Sequence, residues 1–134
     1  MRFVDSSFWF AYQNANDRHH AQALAIARAA TGRLVTTNQV VGEIWTLLRR
    51  RRGHQFAVGF LDHIDALVAA KRLEVVHVDE ATSGQAMVWL RQRDEREYSY
   101  VDATSFAVMR KRRIREALAF DGDFAAAGFI ELRP

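Results

Sequence analysis

Short apolar runs alternate with longer segments of helical periodicity along the chain. The runs are rich in Val, Leu, Ile and Phe, which is typical of buried strands. Those that predict strands are RFV (2–4), RLVT (33–36), LEVVHV (73–78), EALAF (116–120) and FIEL (129–132).

The segments between these runs repeat apolar residues every three or four positions, which predicts half-buried helices. We expect Asp17, Asn38 and Asp79 to be N-caps, because their side-chain oxygens can accept a free backbone N–H group. Gly32 and Gly53 are expected to end the helices before them. The predicted helices cover 9–13, 17–32, 38–53, 55–70, 79–93 and 103–112.

This order of elements predicts an α/β fold, with a mainly parallel central sheet of about four to five strands flanked by helices. The chain has 134 residues, and its single proline is the last residue. Because no linker is evident at this length, we expect one domain over residues 1–134. In such a sheet, ligands gather beyond the carboxyl ends of the strands.

Composition favours a cytoplasmic protein. Cysteine is absent and no apolar run approaches the length of a membrane span. The net charge is only +3, but arginines cluster at 49–52 and at 110–115. Such clusters either complement the ends of helices or attract a polyanion such as nucleic acid.

Four acidic residues occupy unusual places. Asp5 and Asp121 directly follow predicted strands, whereas Glu43 and Asp102 share helix faces with apolar residues. Simpler interpretations stay open: Asp5 and Asp102 as helix caps, Asp121 as a turn residue, and Glu43 as a polar residue at the edge of an apolar stripe.

Four inward-facing acids would repel one another unless a cation lies among them. Carboxylate oxygens suit Mg²⁺ or Mn²⁺, whereas zinc favours histidine and cysteine. The five histidines show no spacing typical of a ligand pair. The sequence therefore predicts a hard divalent cation at one edge of the sheet.

Four segments in order, FVDSSFWF, TTNQVVGEIWTLL, SYVDATSFAVM and AFDGDFAAAGF, closely resemble PIN-domain nucleases, and specifically VapC toxins of bacterial toxin–antitoxin pairs. The resemblance covers nearly the whole chain and implies a PIN-like fold. It also implies one Mg²⁺-dependent ribonuclease centre, with Mn²⁺ as a substitute, whose catalytic acids are Asp5, Glu43, Asp102 and Asp121.

Within this centre, Asp5 and Asp102 are expected to hold the metal most directly. Asp123 is either a further ligand or a helix cap. The resemblance extends to Ser6, which follows the first acid, to Asn38, and to the histidine at His19 or His20.

The same resemblance implies an RNA substrate, a cognate VapB-like antitoxin, and a homodimer or a larger toxin–antitoxin assembly, with no membrane association. A housekeeping RNA-processing nuclease and a non-catalytic RNA-binding module are the alternatives. A phospho-acceptor receiver is disfavoured because no lysine follows a late strand, and a haloacid-dehalogenase-type phosphatase because Asp5 is followed by two serines rather than by a D-x-D pattern.

Overall fold

A parallel five-stranded sheet forms the centre of the protein in a computed structural model that describes residues 1–132. The strands are β1 (Arg2–Val4), β2 (Leu34–Thr37), β3 (Leu73–Val76), β4 (Glu116–Leu118) and β5 (Ile130–Glu131). The helices are α1 (Ser6–Gln13), α2 (His20–Ala29), α3 (Asn38–Arg52), α4 (His54–Ala69), α5 (Glu80–Gln92), α6 (Tyr100–Arg112) and α7 (Asp123–Ala126). The predicted α/β class and parallel sheet are confirmed.

Strand order places the first strand at the centre of the sheet. The order is β3-β2-β1-β4-β5, and every neighbouring pair is parallel. The chain therefore builds outward from β1 to β3 and then returns to the other side of β1 at β4. Such a reversal opens a crevice between the carboxyl ends of β1 and β4, where α/β proteins bind their ligands.

Several helices begin differently from the sequence prediction: α1 and α6 begin three residues earlier, at Ser6 and Tyr100, and the caps of α3 and α2 differ. The N-cap of α3 is Thr37, whose hydroxyl accepts from the Val40 N–H group at 3.1 Å, and Asn38 is already helical. The Asn38 side chain instead accepts from the Val78 N–H group at 2.8 Å, which ties the chain after β3 to the start of α3.

The second cap that differs is that of α2, which starts at His20 and has no side-chain cap. The prediction that Asp17 caps it is wrong, because the Asp17 carboxylate accepts from the His19 N–H group in the turn before the helix. Asp79 does cap α5, as predicted.

The core fills the space between the sheet and the helices. Phe3 and Val35 from the strands are completely buried, as is Phe106 from α6. Phe8 and Trp9 of α1 are buried as well. This apolar packing holds the carboxyl edge of the sheet rigidly in place.

The two arginine clusters lie at helix ends. Arg49–Arg52 form the exposed last turn of α3, and Arg110–Arg112 form the last turn of α6. Across residues 1–132, no helix has the length and apolar character needed to cross a bilayer.

Candidate active site

Asp5 leaves the end of β1 and enters the crevice completely buried. Its backbone N–H group donates to the Leu118 carbonyl at 3.0 Å, so the residue is fixed against β4. Its carboxylate caps α1 by accepting from the Ser7 N–H group at 3.2 Å and from the Ser7 hydroxyl at 2.8 Å. Asp5 therefore caps α1 and also lies in the crevice.

Asp102 lies in the first turn of α6 and is only 7% exposed. Its carboxylate accepts from the Ser99 N–H group at 3.1 Å, and the Ser99 hydroxyl accepts from the Asp102 N–H group at 3.0 Å. This reciprocal capping box fixes the side chain at the helix start. The expectation that Asp102 points inward is confirmed, although Ser99 is the N-cap.

Asp121 and Asp123 follow β4 on a short turn that leads into α7. The Asp121 carboxylate accepts from the Asp123 N–H group at 3.0 Å, which is an Asx turn. Gly122 permits this turn because its φ is +83°, in the left-handed region. Glu131 closes the turn from β5 by accepting from the N–H groups of Gly122 and Ala125.

The carboxylates converge although they come from distant parts of the chain. One oxygen each of Asp102, Asp121 and Asp123 lies within 4.8 Å of the others. Asp5 lies beside this group, because its N–H group bonds to the Leu118 carbonyl at the end of β4, and the charges of Asp121 and Asp102 both raise the pKa of its carboxyl group. Such spacing is suited to a shared divalent cation.

Crowding and burial change the protonation of these acids. Burial raises the pKa of Asp5 well above its usual range, and the charges of Asp121 and Asp102 raise it further, against the hydrogen bonds from Ser7. Desolvation raises the pKa of Asp102 to about 6, with Asp121 and Asp123 adding to the rise. Desolvation, with the nearby carboxylate of Asp123, also raises the pKa of Asp121. Burial of the carboxylates, with their mutual repulsion added to it, is therefore the dominant electrostatic feature of the crevice.

Glu43 stands apart from this cluster. Its predicted position on the buried face of α3 is wrong: the residue is exposed, and the buried face consists of Val40, Ile44 and Leu48. Glu43 precedes Ile44 by one residue, so it points about 100° away around the helix. It lines a cavity of about 900 Å³ that Asp121 also lines.

The same cavity carries basic and aromatic residues on its walls. Arg18 and Arg50 are exposed residues that line it. Phe10 lines it too, with the Arg51 guanidinium 5.4 Å from the centre of the Phe10 ring. The cavity is thus lined both by carboxylates and by arginines, and the arginines suit the binding of a polyanion.

Two further residues shape the site without any clear signal in the sequence. Ser7, rather than Ser6, makes the shorter hydrogen bond to Asp5. Arg96, from the loop between α5 and α6, donates from Nε to Asp123 at 2.8 Å and from Nη2 to the Asp121 carbonyl at 3.2 Å. Arg96 lies in the charged segment RDERE, where nothing distinguishes it from its neighbours.

Comparison with known proteins identifies close relatives. The PIN domain family model matches residues 2–130. A Mycobacterium tuberculosis protein named 23S rRNA-specific endonuclease VapC20 is 51% identical over 137 aligned residues, which cover 100% of this chain and 99% of that protein. A VapC ribonuclease from Archaeoglobus fulgidus is 26% identical and covers 91% of this chain and 78% of its own length.

Solved structures of VapC proteins have the same fold as this chain. The crystal structure of M. tuberculosis VapC20, described as a Sarcin-Ricin loop cleaving toxin, superposes with a TM-score of 0.91 at 50% identity and covers 100% of both chains. VapBC2 from Rickettsia felis, bound to a promoter DNA fragment, has a TM-score of 0.65 at 11% identity, with 98% of this chain and 96% of that chain covered. At that identity the similarity concerns the fold alone.

Proposed function

This chain belongs to the PIN domain family, and we propose that it is a divalent-metal-dependent endoribonuclease, the toxin of a toxin–antitoxin pair. The observation that carries the proposal is the convergence of Asp102, Asp121 and Asp123 within 4.8 Å, beside the buried Asp5, at the point where strand order reverses.

The donor set fits Mg²⁺. All candidate ligands are carboxylate oxygens, which hard cations prefer, and no histidine belongs to the cluster among the described residues. The pKa values of Asp5 and Asp102 are raised first by burial and then by neighbouring carboxylates, so a bound cation would stabilise the ionised form of both acids. Asp5 and Asp102 would hold the ion most directly, with Asp121 completing the site and Asp123 as a further ligand.

The chain's own residues have distinct tasks in phosphodiester hydrolysis. When bound, Mg²⁺ supplies positive charge that lets a phosphodiester approach the acids and that stabilises charge developing on the phosphate. Asp5 and Asp102 are rigid, because hydrogen bonds from Ser7 and Ser99 fix both carboxylates. Glu43 and Asp121 line the open cavity, and Asp121 belongs to the acid cluster, so we assign these two carboxylates to accept a proton from an attacking water.

The substrate is inferred from the relatives and from the charge of the cavity. VapC20 is named as specific for 23S rRNA and as cleaving the Sarcin-Ricin loop. At 51% identity over the whole chain we assign ribosomal RNA to this protein as well. Arg18 and Arg50 on the cavity wall provide contacts for the RNA backbone.

The biological setting follows from the same assignment. Ribosomal RNA is a cytoplasmic substrate, so we place the protein in the cytoplasm. A cognate VapB-like antitoxin is expected to restrain the nuclease, and a toxin homodimer is expected within the toxin–antitoxin assembly. Co-purification with the product of a neighbouring small gene, followed by mass measurement in solution, tests both partners.

Cleavage of ribosomal RNA tests the proposed activity. Purified protein is incubated with bacterial ribosomes and Mg²⁺, and the new RNA ends are mapped by sequencing. We expect a discrete cut in 23S rRNA that disappears with EDTA and in Asp102→Asn. Asp62→Asn, the same substitution at an exposed position of α4, is the matched control and should cut normally. Cleavage that survives both EDTA and Asp102→Asn would refute the proposal.

A further inference from the structure

A stacked pair of aromatic rings lies on the wall of the cavity, next to the acids. The rings of His19 and Phe120 are 4.6 Å apart between centroids and within 5° of parallel. Both residues are half-buried and line the cavity that Asp121 and Glu43 also line. Phe120 immediately precedes Asp121, so the ring pair is one residue away from the candidate metal site.

The ring pair is anchored from the core. Phe120 also stacks on the buried Phe8, with centroids 5.8 Å apart and the planes inclined by 16°. The Phe120 N–H group donates to the Ser7 hydroxyl at 3.0 Å, and that hydroxyl donates to Asp5 at 2.8 Å. Rings and acids therefore form one rigid unit, and the distance between them is fixed.

Both nitrogens of the His19 ring are already engaged. Arg18 donates from Nε to His19 Nε2 at 3.1 Å, and His19 Nδ1 lies 3.0 Å from the side-chain Oε1 of Gln22. The Arg18 bond makes Nε2 an acceptor, so Nδ1 carries the proton and donates to Gln22. These bonds hold the orientation of the ring.

What remains available on His19 is a π face. Phe120 covers one face and hydrogen bonds occupy the ring nitrogens, so the opposite face is the one on which a ligand in the cavity could stack. A flat aromatic surface beside a phosphodiester-cleaving site is suited to an unstacked nucleobase, because stacking on aromatic rings is a principal mode of recognition for single-stranded RNA.

We propose that the His19–Phe120 pair is a stacking platform for a nucleobase next to the scissile phosphate, with His19 as the positioning residue that contacts the base. The inference rests on the proposed ribonuclease function and adds a base subsite to it. It also explains why cleavage would require a loop or single-stranded region, since a base paired within a helix cannot reach the platform.

Substitutions at His19 separate stacking from proton transfer. His19→Ala should raise KM for 23S rRNA about tenfold, within the range expected when one base stack is removed, with a smaller effect on kcat. His19→Phe should return KM to within about twofold of the wild type, and the pH profile of kcat should not change. His77→Ala, at an exposed histidine far along the chain, is the matched control. Thermal melting and Mn²⁺ titration of each variant check that the fold and the acid cluster remain intact.

A binding measurement makes the test independent of cleavage. RNA dodecamers with 2-aminopurine at successive positions are added to Asp121→Asn with His19 present, and then to Asp121→Asn combined with His19→Ala or with His19→Phe. We expect one position to lose fluorescence on binding, the loss to vanish with His19→Ala, and His19→Phe to restore it.

The outcomes distinguish the two proposals. Equal KM and equal quenching in the wild type and His19→Ala would overturn the platform and leave the nuclease assignment untouched. Loss of kcat in both His19→Ala and His19→Phe would overturn it in favour of proton transfer by the imidazole. If the wild type cuts no RNA but the quenching depends on His19, the platform stands and the nuclease function falls.

Discussion

A carboxylate removed completely from water is stable only where other groups compensate its charge, and Asp5 is such a carboxylate. It accepts hydrogen bonds from Ser7, yet these do not offset burial, since its pKa remains raised. The residue therefore costs the metal-free protein stability that a bound cation would restore. Substitution of this one residue separates its charge from its role as a cap.

Asp5→Asn should stabilise the metal-free protein while abolishing RNA cleavage. Asparagine keeps an acceptor for the Ser7 N–H group, so the cap of α1 survives without the buried charge. We expect the free energy of unfolding at pH 8 in EDTA to increase, on the order of 1 kcal/mol. Asp5→Ala should be less stable than Asp5→Asn by about 1 kcal/mol, because it also loses the cap.

Urea unfolding of the three proteins provides the measurement. A metal-free Asp5→Asn protein that is less stable than the wild type would show that the buried charge is already compensated within the fold.

The raised pKa of Asp102 predicts how metal affinity depends on pH. A raised pKa means that the metal-free fold binds the Asp102 proton more tightly than the unfolded chain does. Protonated Asp102 therefore adds to the free energy of unfolding at low pH, and this contribution is lost as pH rises through about 6. Metal requires the ionised acid, so Mn²⁺ affinity should weaken below pH 6 by about tenfold per pH unit for each proton displaced. Titration calorimetry between pH 5 and pH 8 measures this dependence. An affinity that is the same at pH 5 and pH 7 would contradict it.

At the scale of elements, most of the framework could be predicted because it depends on local patterns. Within residues 1–132, apolar runs locate the five strands, and helical periodicity locates six of the seven helices. The run EALAF predicts a strand that extends to Phe120, but β4 ends at Leu118, because the Phe120 N–H group bonds to Ser7 instead of a neighbouring strand. Helix α7 has only four residues, too few to show periodicity.

The predictions fail where several residues could serve the same local purpose. Thr37 and Asn38 are both good N-caps, so the sequence does not show which one is used. In the structure Thr37 is the last residue of β2 and caps α3. The direction of Glu43 depends on which stripe of α3 packs inward, and a shift of one residue changes it. By contrast, Asp5 and Asp121 are predictable as neighbours because parallel strands end at the same edge of a sheet.

The capping box of α6 offers a test at this scale. Ser99→Ala removes the hydroxyl that accepts from the Asp102 N–H group and should lower the free energy of unfolding by about 1 kcal/mol. Ser99→Thr keeps a hydroxyl and should stay within a few tenths of a kcal/mol of the wild type. Chemical denaturation followed by circular dichroism measures both. Equal stability of Ser99→Ala and the wild type would mean that the box does not hold the start of α6.

At the scale of the whole molecule, the strand order determines where the chemistry lies. The order of the strands reverses at β1, with β2 on one side and β4 on the other. Asp5 and Asp121 therefore flank one crevice, and α6 adds Asp102. The exposed end of α3 then places Arg50 on the wall of the same cavity. Negative charge to hold a metal and positive charge to hold RNA thus lie side by side.

This division of charge predicts a salt dependence. Asp121→Asn removes a proposed metal ligand and is expected not to cleave RNA. In this background, Arg50→Ala should weaken RNA binding and reduce the slope of log Kd against log salt by about 0.7 for each phosphate that the protein no longer neutralises. Arg91→Ala, at an exposed position of α5, is the matched control and should leave the slope unchanged. Filter binding across a salt series gives the slopes. The same decrease in both variants would indicate a general effect of net charge rather than an interaction at the cavity.

Acids at the end of β1, in α6 and in the turn after β4 are proposed to hold one divalent cation. Crystals soaked in MnCl₂ and measured at the manganese absorption edge test this proposal most directly. We expect an anomalous peak within bonding distance of Asp5, Asp102 and Asp121 in the wild type, and none in Asp5→Asn crystals prepared in the same way. A peak elsewhere, or an equal peak in Asp5→Asn, would contradict it.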